Sequence, residues 1–249
     1  MGGPPPQART HRKTPVLLAE SIAAGIANDG LRPGDRLPVE AEMLARYGVG
    51  RASMREALRI LEAQGVLDIR VGAGGGPFVA QPQPQKVARV LSLMLRLSEV
   101  SFSEVMAART VLERALAREA AVNRTPAQLD ALHTNQTLME RLERGSPEFM
   151  AANREFHTLL SDASHNRVLA LQWSALSTIA DGSEVGIQYG PANLTGLLAA
   201  HRKIIAAVAQ HDAAAAEAAM LTHLDAASEY VRRHYRHLYE RPVTVVSSL

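Results

Sequence analysis

Apolar residues recur at three- and four-residue intervals through most of this chain, and that period predicts helices. Thr14-Pro15 reads as an N-cap followed by proline in the first turn. Val16, Leu18, Ile22 and Ile26 continue at helical spacing to a stop near Asn28-Asp29-Gly30. "LRPGDRLP" is turn chemistry, Glu40–Arg46 is a second short helix, and Tyr47-Gly48-Val49-Gly50 turns the chain into a third that ends near Gln64-Gly65. The period then changes. "GVLDIRVGAGGGPFVA" predicts two short strands, Val66–Val71 and Phe78–Ala80, joined by glycines. "QPQPQ" has no apolar residue and is the expected linker. Helical spacing returns after it, with starts at Ser101-Phe102-Ser103-Glu104, Thr125-Pro126, Ser146-Pro147 and Asp212.

These elements predict a mainly α chain: an N-terminal winged helix-turn-helix followed by an antiparallel all-helical bundle of six or seven helices. The expected divisions are a disordered tail over 1–14, the winged unit over 15–80, a linker over 81–85, the helical domain over 86–240 and a loose tail over 241–249.

Composition narrows the chemistry. Alanine and leucine abound while aromatics are only 4%, which favours helix. The net charge is +2, so any nucleic-acid surface must be a local patch rather than a property of the whole chain. Cysteine is absent, which excludes disulfides, thiolate metal sites and cysteine nucleophiles. No segment reads as a signal peptide or a membrane span, and a cytoplasmic protein is expected.

"GRASMREALR" begins the third helix. At about 100° per residue, Met54, Ala57, Leu58 and Leu61 fall on one side and Arg51, Arg55 and Arg59 on another. A solvated charged face would look the same. The layout, however, is helix, four-residue turn, then a helix opening with Arg and Ser, and that is the arrangement in which a second helix enters the major groove. An arginine fork matches O6 and N7 of guanine. A glycine-rich wing can run close to phosphates.

"RLPVEAEMLARYGVGRASMREALRILEAQGVLDIRVGAGGGPFVA" resembles the winged helix-turn-helix of GntR-type regulators. The resemblance implies operator DNA as partner, base contacts from Arg51 and Arg55, and a minor-groove approach by Val71 and Gly72; Ser53 stands at the start of the same helix, and Arg59 either touches phosphate or stays hydrated, both readings being open. Two positions depart from the family pattern: Ala41 stands where a third DNA-contacting arginine is frequent, and Gly50 replaces a capping Ser or Thr.

In the second part, "NREFH" places Asn153 and His157 one helical turn apart. His201 lies eleven residues before Asp212 and His223 eleven after it. A helical hairpin bent at His211-Asp212 would therefore bring the two imidazoles opposite each other. If the Asn153 helix packs alongside, three imidazoles and an oxygen could converge on zinc, nickel, iron or manganese. Hydrogen-bonded core histidines remain the alternative, and His11, His133, His165, His211, His234 and His237 suggest no special role.

"SEVMAARTVLERALAREAA", "NREFHTLLSDASHN" and "HRKIIAAVAQHDAAAAEAAMLTHL" resemble the FCD ligand-binding domain of the FadR-like branch of that family. The resemblance implies a divalent cation, zinc foremost, on Asn153, His157, His201 and His223, and a small carboxylate effector. It also implies a homodimer that reads two half-sites, with repression relieved by the effector as the commonest outcome in the family and activation left open by the sequence. Arg109 is either a contact for the effector carboxylate or an ion-pair partner of Glu113, four residues on; the sequence leaves both open. Two other readings stay open: a metal-dependent hydrolase, with Glu155 or Asp162 as base, and a regulator whose helical domain binds no metal.

Overall fold

The structure, a computed structural model, describes residues 14–72, 74–81, 83–180 and 186–240. The chain forms two compact units, Met1–Lys86 and Val87–Leu249. The tails expected over 1–14 and 241–249 lie outside the described residues, except for Thr14, which caps the first helix.

The first unit is built from α1 (Pro15–Asn28), α2 (Glu40–Tyr47), α3 (Arg51–Ala63), β1 (Leu67–Arg70) and β2 (Gly76–Val79). The Thr14 hydroxyl accepts from the Leu17 amide, and Pro15 occupies the first turn without needing a donor. Gly48, at φ +64°, ends α2 in the left-handed conformation, so α3 can leave at a new angle. The core joins Leu18, Ala19 and Ile22 of α1, Met43 of α2, Met54, Ala57 and Leu61 of α3, and Leu67 of β1. Each large side chain fully buried there contributes on the order of 1.5–3 kcal/mol. The strands pair antiparallel in a register that runs from Leu67↔Val79 to Arg70↔Gly76.

The strands differ from the sequence expectation of Val66–Val71 and Phe78–Ala80. β2 starts two residues earlier and recruits Gly76 and Pro77, while β1 is trimmed at both ends. An isolated bridge between Arg36 and Phe78 anchors β2 on its other edge, and the Arg36 guanidinium donates to the Gly75 carbonyl at 2.5 Å. Such long-range pairing leaves no trace in local period. The wing tip needs glycine: a Cβ on Gly75 would lie 2.4 Å from the Arg70 carbonyl oxygen, and Gly72 holds φ +105°.

The helical region comprises α4 (Pro84–Leu97), α5 (Phe102–Asn123), α6 (Pro126–Arg141), α7 (Pro147–Ala163), α8 (Arg167–Ala180), α9 (Pro191–Ala209), α10 (Ala213–His234) and α11 (Arg236–Tyr239). Among the described residues these are eight helices rather than six or seven, because a four-residue helix follows α10. α4 begins inside the stretch expected as a linker over 81–85, with Pro84 as its first residue. Reciprocal capping boxes start α5 (Ser101 with Glu104) and α6 (Thr125 with Gln128), and Ser146 and Asp212 cap α7 and α10.

The main core of this unit packs Ala117, Ala120 and Ala121 of α5, Phe156 and Leu160 of α7, Ile204, Ile205 and Val208 of α9, and Met220 and Leu224 of α10. Alanines let α5 lie close to its neighbours. His211, at φ +56°, turns α9 into α10, and its Nδ1 donates to the Ala121 carbonyl at 2.7 Å. That histidine therefore has a structural role which the sequence reading did not give it. No helix among the described residues is long and apolar enough to cross a membrane.

Candidate functional site

Three buried histidines meet in the core of the helical unit. α7 supplies His157, α9 His201 and α10 His223, and their candidate ligand atoms lie within 4.8 Å of one another. Sharp turning at His211-Asp212 sets His201 against His223, with ring centroids 4.9 Å apart. His157 stands 5.6 Å from His201 and 5.4 Å from His223, centroid to centroid. Phe156, the neighbour of His157 in sequence, stacks on the His201 ring at 3.6 Å.

The three imidazoles have unequal surroundings. His157 meets the Glu113 carboxylate through Nδ1. A carboxylate accepts, so Nδ1 of His157 carries a hydrogen. Glu113 also accepts from Arg109 Nε at 2.6 Å, and the Arg109 Nη2 lies 3.4 Å from His157 Nε2. Burial pushes the Glu113 carboxyl up, but His157 and Arg109 outweigh it and hold it at about 2. His201, by contrast, has neither ring nitrogen hydrogen-bonded, although both are buried. Burial first, then the charges of His223, His157 and Arg109, lowers its pKa well below the ordinary value. Burial, followed by His157 and Arg109, lowers His223 to about 3. Both are thus neutral imidazoles at neutral pH, the form that ligates metals.

Asn153, one turn before His157, has a buried Oδ1 without a hydrogen-bond partner. An orphaned buried polar atom costs roughly 1–3 kcal/mol, and Asn153 Oδ1 and both nitrogens of His201 are such atoms. A divalent cation fits this donor set of three imidazoles and an amide oxygen.

A cavity of about 360 Å³ opens beside these residues. Its lining includes Asn153, His157 and His223, with Arg109, Trp173 and Tyr189 around them. Arg154 and Lys203, both exposed, stand on its rim. The sequence reading missed Trp173, Tyr189, Arg154 and Lys203. Arg154 is next to Asn153, and Lys203 continues a spacing of three and four residues from Asn193 through Gly196 and Ala200, so a signal existed only once the facing helix was known. Glu113 was expected as a partner for Arg109; its bond to His157, 44 residues away, was not. Glu155 and Asp162 are exposed and do not line the cavity.

In the first unit, Arg51, Arg55 and Arg59 all lie exposed on α3, opposite the buried Met54, Ala57 and Leu61. Ser53 is half-buried. Gly50 precedes the helix and supplies no side-chain cap, so the first amides of α3 face outward. Val71 at the wing tip is 98% exposed. The three arginines and the wing residue Val71 are thus open to solvent.

The model of the gntR family of bacterial regulatory proteins matches residues 17–76, and the FCD domain model matches residues 104–226. The HTH-type transcriptional regulator LutR of Bacillus subtilis is 29% identical over 204 residues, which cover 80% of this chain and 92% of that protein. A putative L-lactate dehydrogenase operon regulatory protein of Escherichia coli is 30% identical over 217 residues, 83% of this chain and 82% of that protein. The solved GntR structure from Streptococcus agalactiae superposes with a TM-score of 0.69 at 24% identity, covering 86% of this chain and 98% of the other, and shows the same fold. The chain is a transcription regulator rather than an enzyme, and it belongs to the gntR family with an FCD domain.

Proposed function

We propose that the chain is a metabolite-responsive regulator that binds operator DNA as a homodimer and releases it when a small organic acid enters the helical unit. Arg51 and Arg55 read base edges, Arg59 meets phosphate, Ser53 lies at the helix start, and Val71 and Gly72 bring the wing to the minor groove. The exposed arginine face over an apolar core supports this reading. An apolar stripe on α4, formed by Val90, Leu93, Met94 and Leu97, supports pairing of two copies.

Asn153, His157, His201 and His223 hold a divalent cation, with zinc, nickel, iron and manganese as candidates. The single observation that carries the reading is the trio of buried histidines, with orphaned polar atoms on His201 and Asn153. When bound, the ion supplies a Lewis-acidic position for an acid's oxygen. Glu113 fixes the His157 tautomer, as outer partners of ligating histidines do. Arg109 is tied to Glu113 and also borders the cavity, so ion pair and effector contact are compatible roles. Trp173 and Tyr189 close the apolar side. The ligand shifts the DNA-binding equilibrium only through a difference in its affinity for the two states. Relief of repression follows the family resemblance. One relative is named for an operon of L-lactate dehydrogenase, an enzyme of a small hydroxy acid.

Fluorescence anisotropy with a labelled duplex of the chain's own promoter tests this. Zinc-loaded chain binds, and an acid from a carboxylate panel releases it; the His157→Ala chain binds equally well but does not respond. Equal acid responses from both chains would contradict the site.

A further inference from the structure

The charges around the cavity do not cancel. The proposed ligand set of three imidazoles and one amide brings no negative charge to a divalent ion. Glu113 is the one buried carboxylate beside it, and Arg109 already offsets that charge at 2.6 Å. Among the described residues lining the cavity there is no Asp or Glu, while Lys203 adds an exposed cation at the rim. An uncompensated charge next to a largely buried site is costly, so the occupant must bring the counter-charge.

Shape agrees with charge. Along α9, Asn193, Gly196, Ala200 and Lys203 line the cavity at intervals of three and four residues. The two small residues leave the strip between the amide and the ammonium unfilled. Thr158 and Thr222 lie on the flanking helices and offer hydroxyls. At about 360 Å³, the cavity falls within the size range of small-molecule sites, roughly 300–1,000 Å³.

We infer that the cavity selects a dianionic small molecule, with one acidic group directed at the ion and Arg109 and the second held at the rim by Lys203. This rests on the metal reading above. A monoanion directed at the ion would leave the rim ammonium of Lys203 unmatched. The second group is a carboxylate or a phosphate, since either meets a lysine as a point charge.

Calorimetric titration of the zinc-loaded full chain tests the inference, with matched probes that differ by one charge. Malonate, succinate and glutarate are each compared with their monomethyl esters, and phosphoglycolate is compared with glycolate. Zinc content is measured in the same samples. At least one dianion should bind about tenfold or more tightly than its monoanionic counterpart, the size expected of a charge-assisted contact. Lys203→Met keeps the aliphatic stem and should bring that ratio close to one without changing bound zinc. The carboxylate and phosphate arms identify the second group. Equal affinities within every pair, an unchanged ratio in Lys203→Met, or no binding by any dianion overturns the inference. A chain that takes up zinc yet shows no preference defeats this proposal alone, whereas a chain that takes up no zinc defeats the metal reading beneath it.

Discussion

The two units of this chain use arginine in opposite ways. In the first, Arg51, Arg55 and Arg59 stand in solvent on the helix that carries Met54, Ala57 and Leu61 into the apolar core. In the second, Arg109 is buried and shares Glu113 with His157. An exposed cation costs little and gains its partner only when a polyanion arrives, so its contribution fades with salt. A buried one must be matched within the fold. The same contrast extends to the other polar groups: among the described residues the buried side-chain atoms without a partner, Asn153 Oδ1 and both nitrogens of His201 among them, lie in the second unit. Surface chemistry waits for a macromolecule; core chemistry is preorganised for something small.

The largest break in this comparison comes from Glu113→Ala. It removes the carboxylate that Arg109 and His157 share, and loss of one partner from a buried ion pair destabilises by about 3–5 kcal/mol. Urea unfolding of wild type and variant measures it. A change below about 1 kcal/mol, typical of a surface pair, would remove the distinction between the units.

Acidification acts next. Lowering of His223 to about 3 means that below its unfolded value of 6.5 the unfolded chain takes a proton that the folded chain refuses. His201 behaves alike. Stability of the metal-free protein is therefore complete above about pH 6.5 and falls as pH drops toward 3. Glu113, depressed to about 2 from 4.5, adds a further loss below 4.5. Unfolding midpoints across this range check the direction. Bound zinc competes with these protons, so the loaded protein should hold its stability to lower pH. A flat profile from pH 7 to 4 would contradict the buried neutral imidazoles.

Smaller effects belong to the first unit. Arg51→Ala and Arg55→Ala should each weaken specific binding by about 1–3 kcal/mol and blur discrimination against random duplex. Arg59→Ala should weaken both duplexes alike and reduce the salt slope by about one. Loss of sequence discrimination in Arg59→Ala alone would reverse the roles assigned along α3.

What the sequence revealed depended on how far apart the interacting residues lie. A hairpin maps sequence distance onto space, so eleven residues either side of Asp212 sufficed to place His201 opposite His223. One helical turn sufficed to put Asn153 and His157 on one face. Caps and prolines located the starts of α1, α5, α6, α7 and α10, since the first-turn amides need local partners. Contacts between distant elements had no such signature. Glu113 reaches His157 across 44 residues, Arg36 bridges to Phe78, and Lys203 joins the cavity only through the packing of α7, α9 and α10. Pro84 misled because the same residue that breaks a helix interior also opens one.

The central claim is that the helical unit is built around a cation, and its most direct test is metal stoichiometry measured together with stability. Wild type and His201→Leu are stripped with chelator, dialysed against a slight excess of zinc, freed of loose ion, and assayed for zinc and for urea midpoint. The account predicts about one zinc per wild-type chain and almost none in the variant. It also predicts a crossover: without metal the variant is as stable as wild type or more so, because two orphaned nitrogens are gone, and with metal wild type is the more stable. Equal zinc in both proteins, or wild-type stability indifferent to zinc, would contradict it.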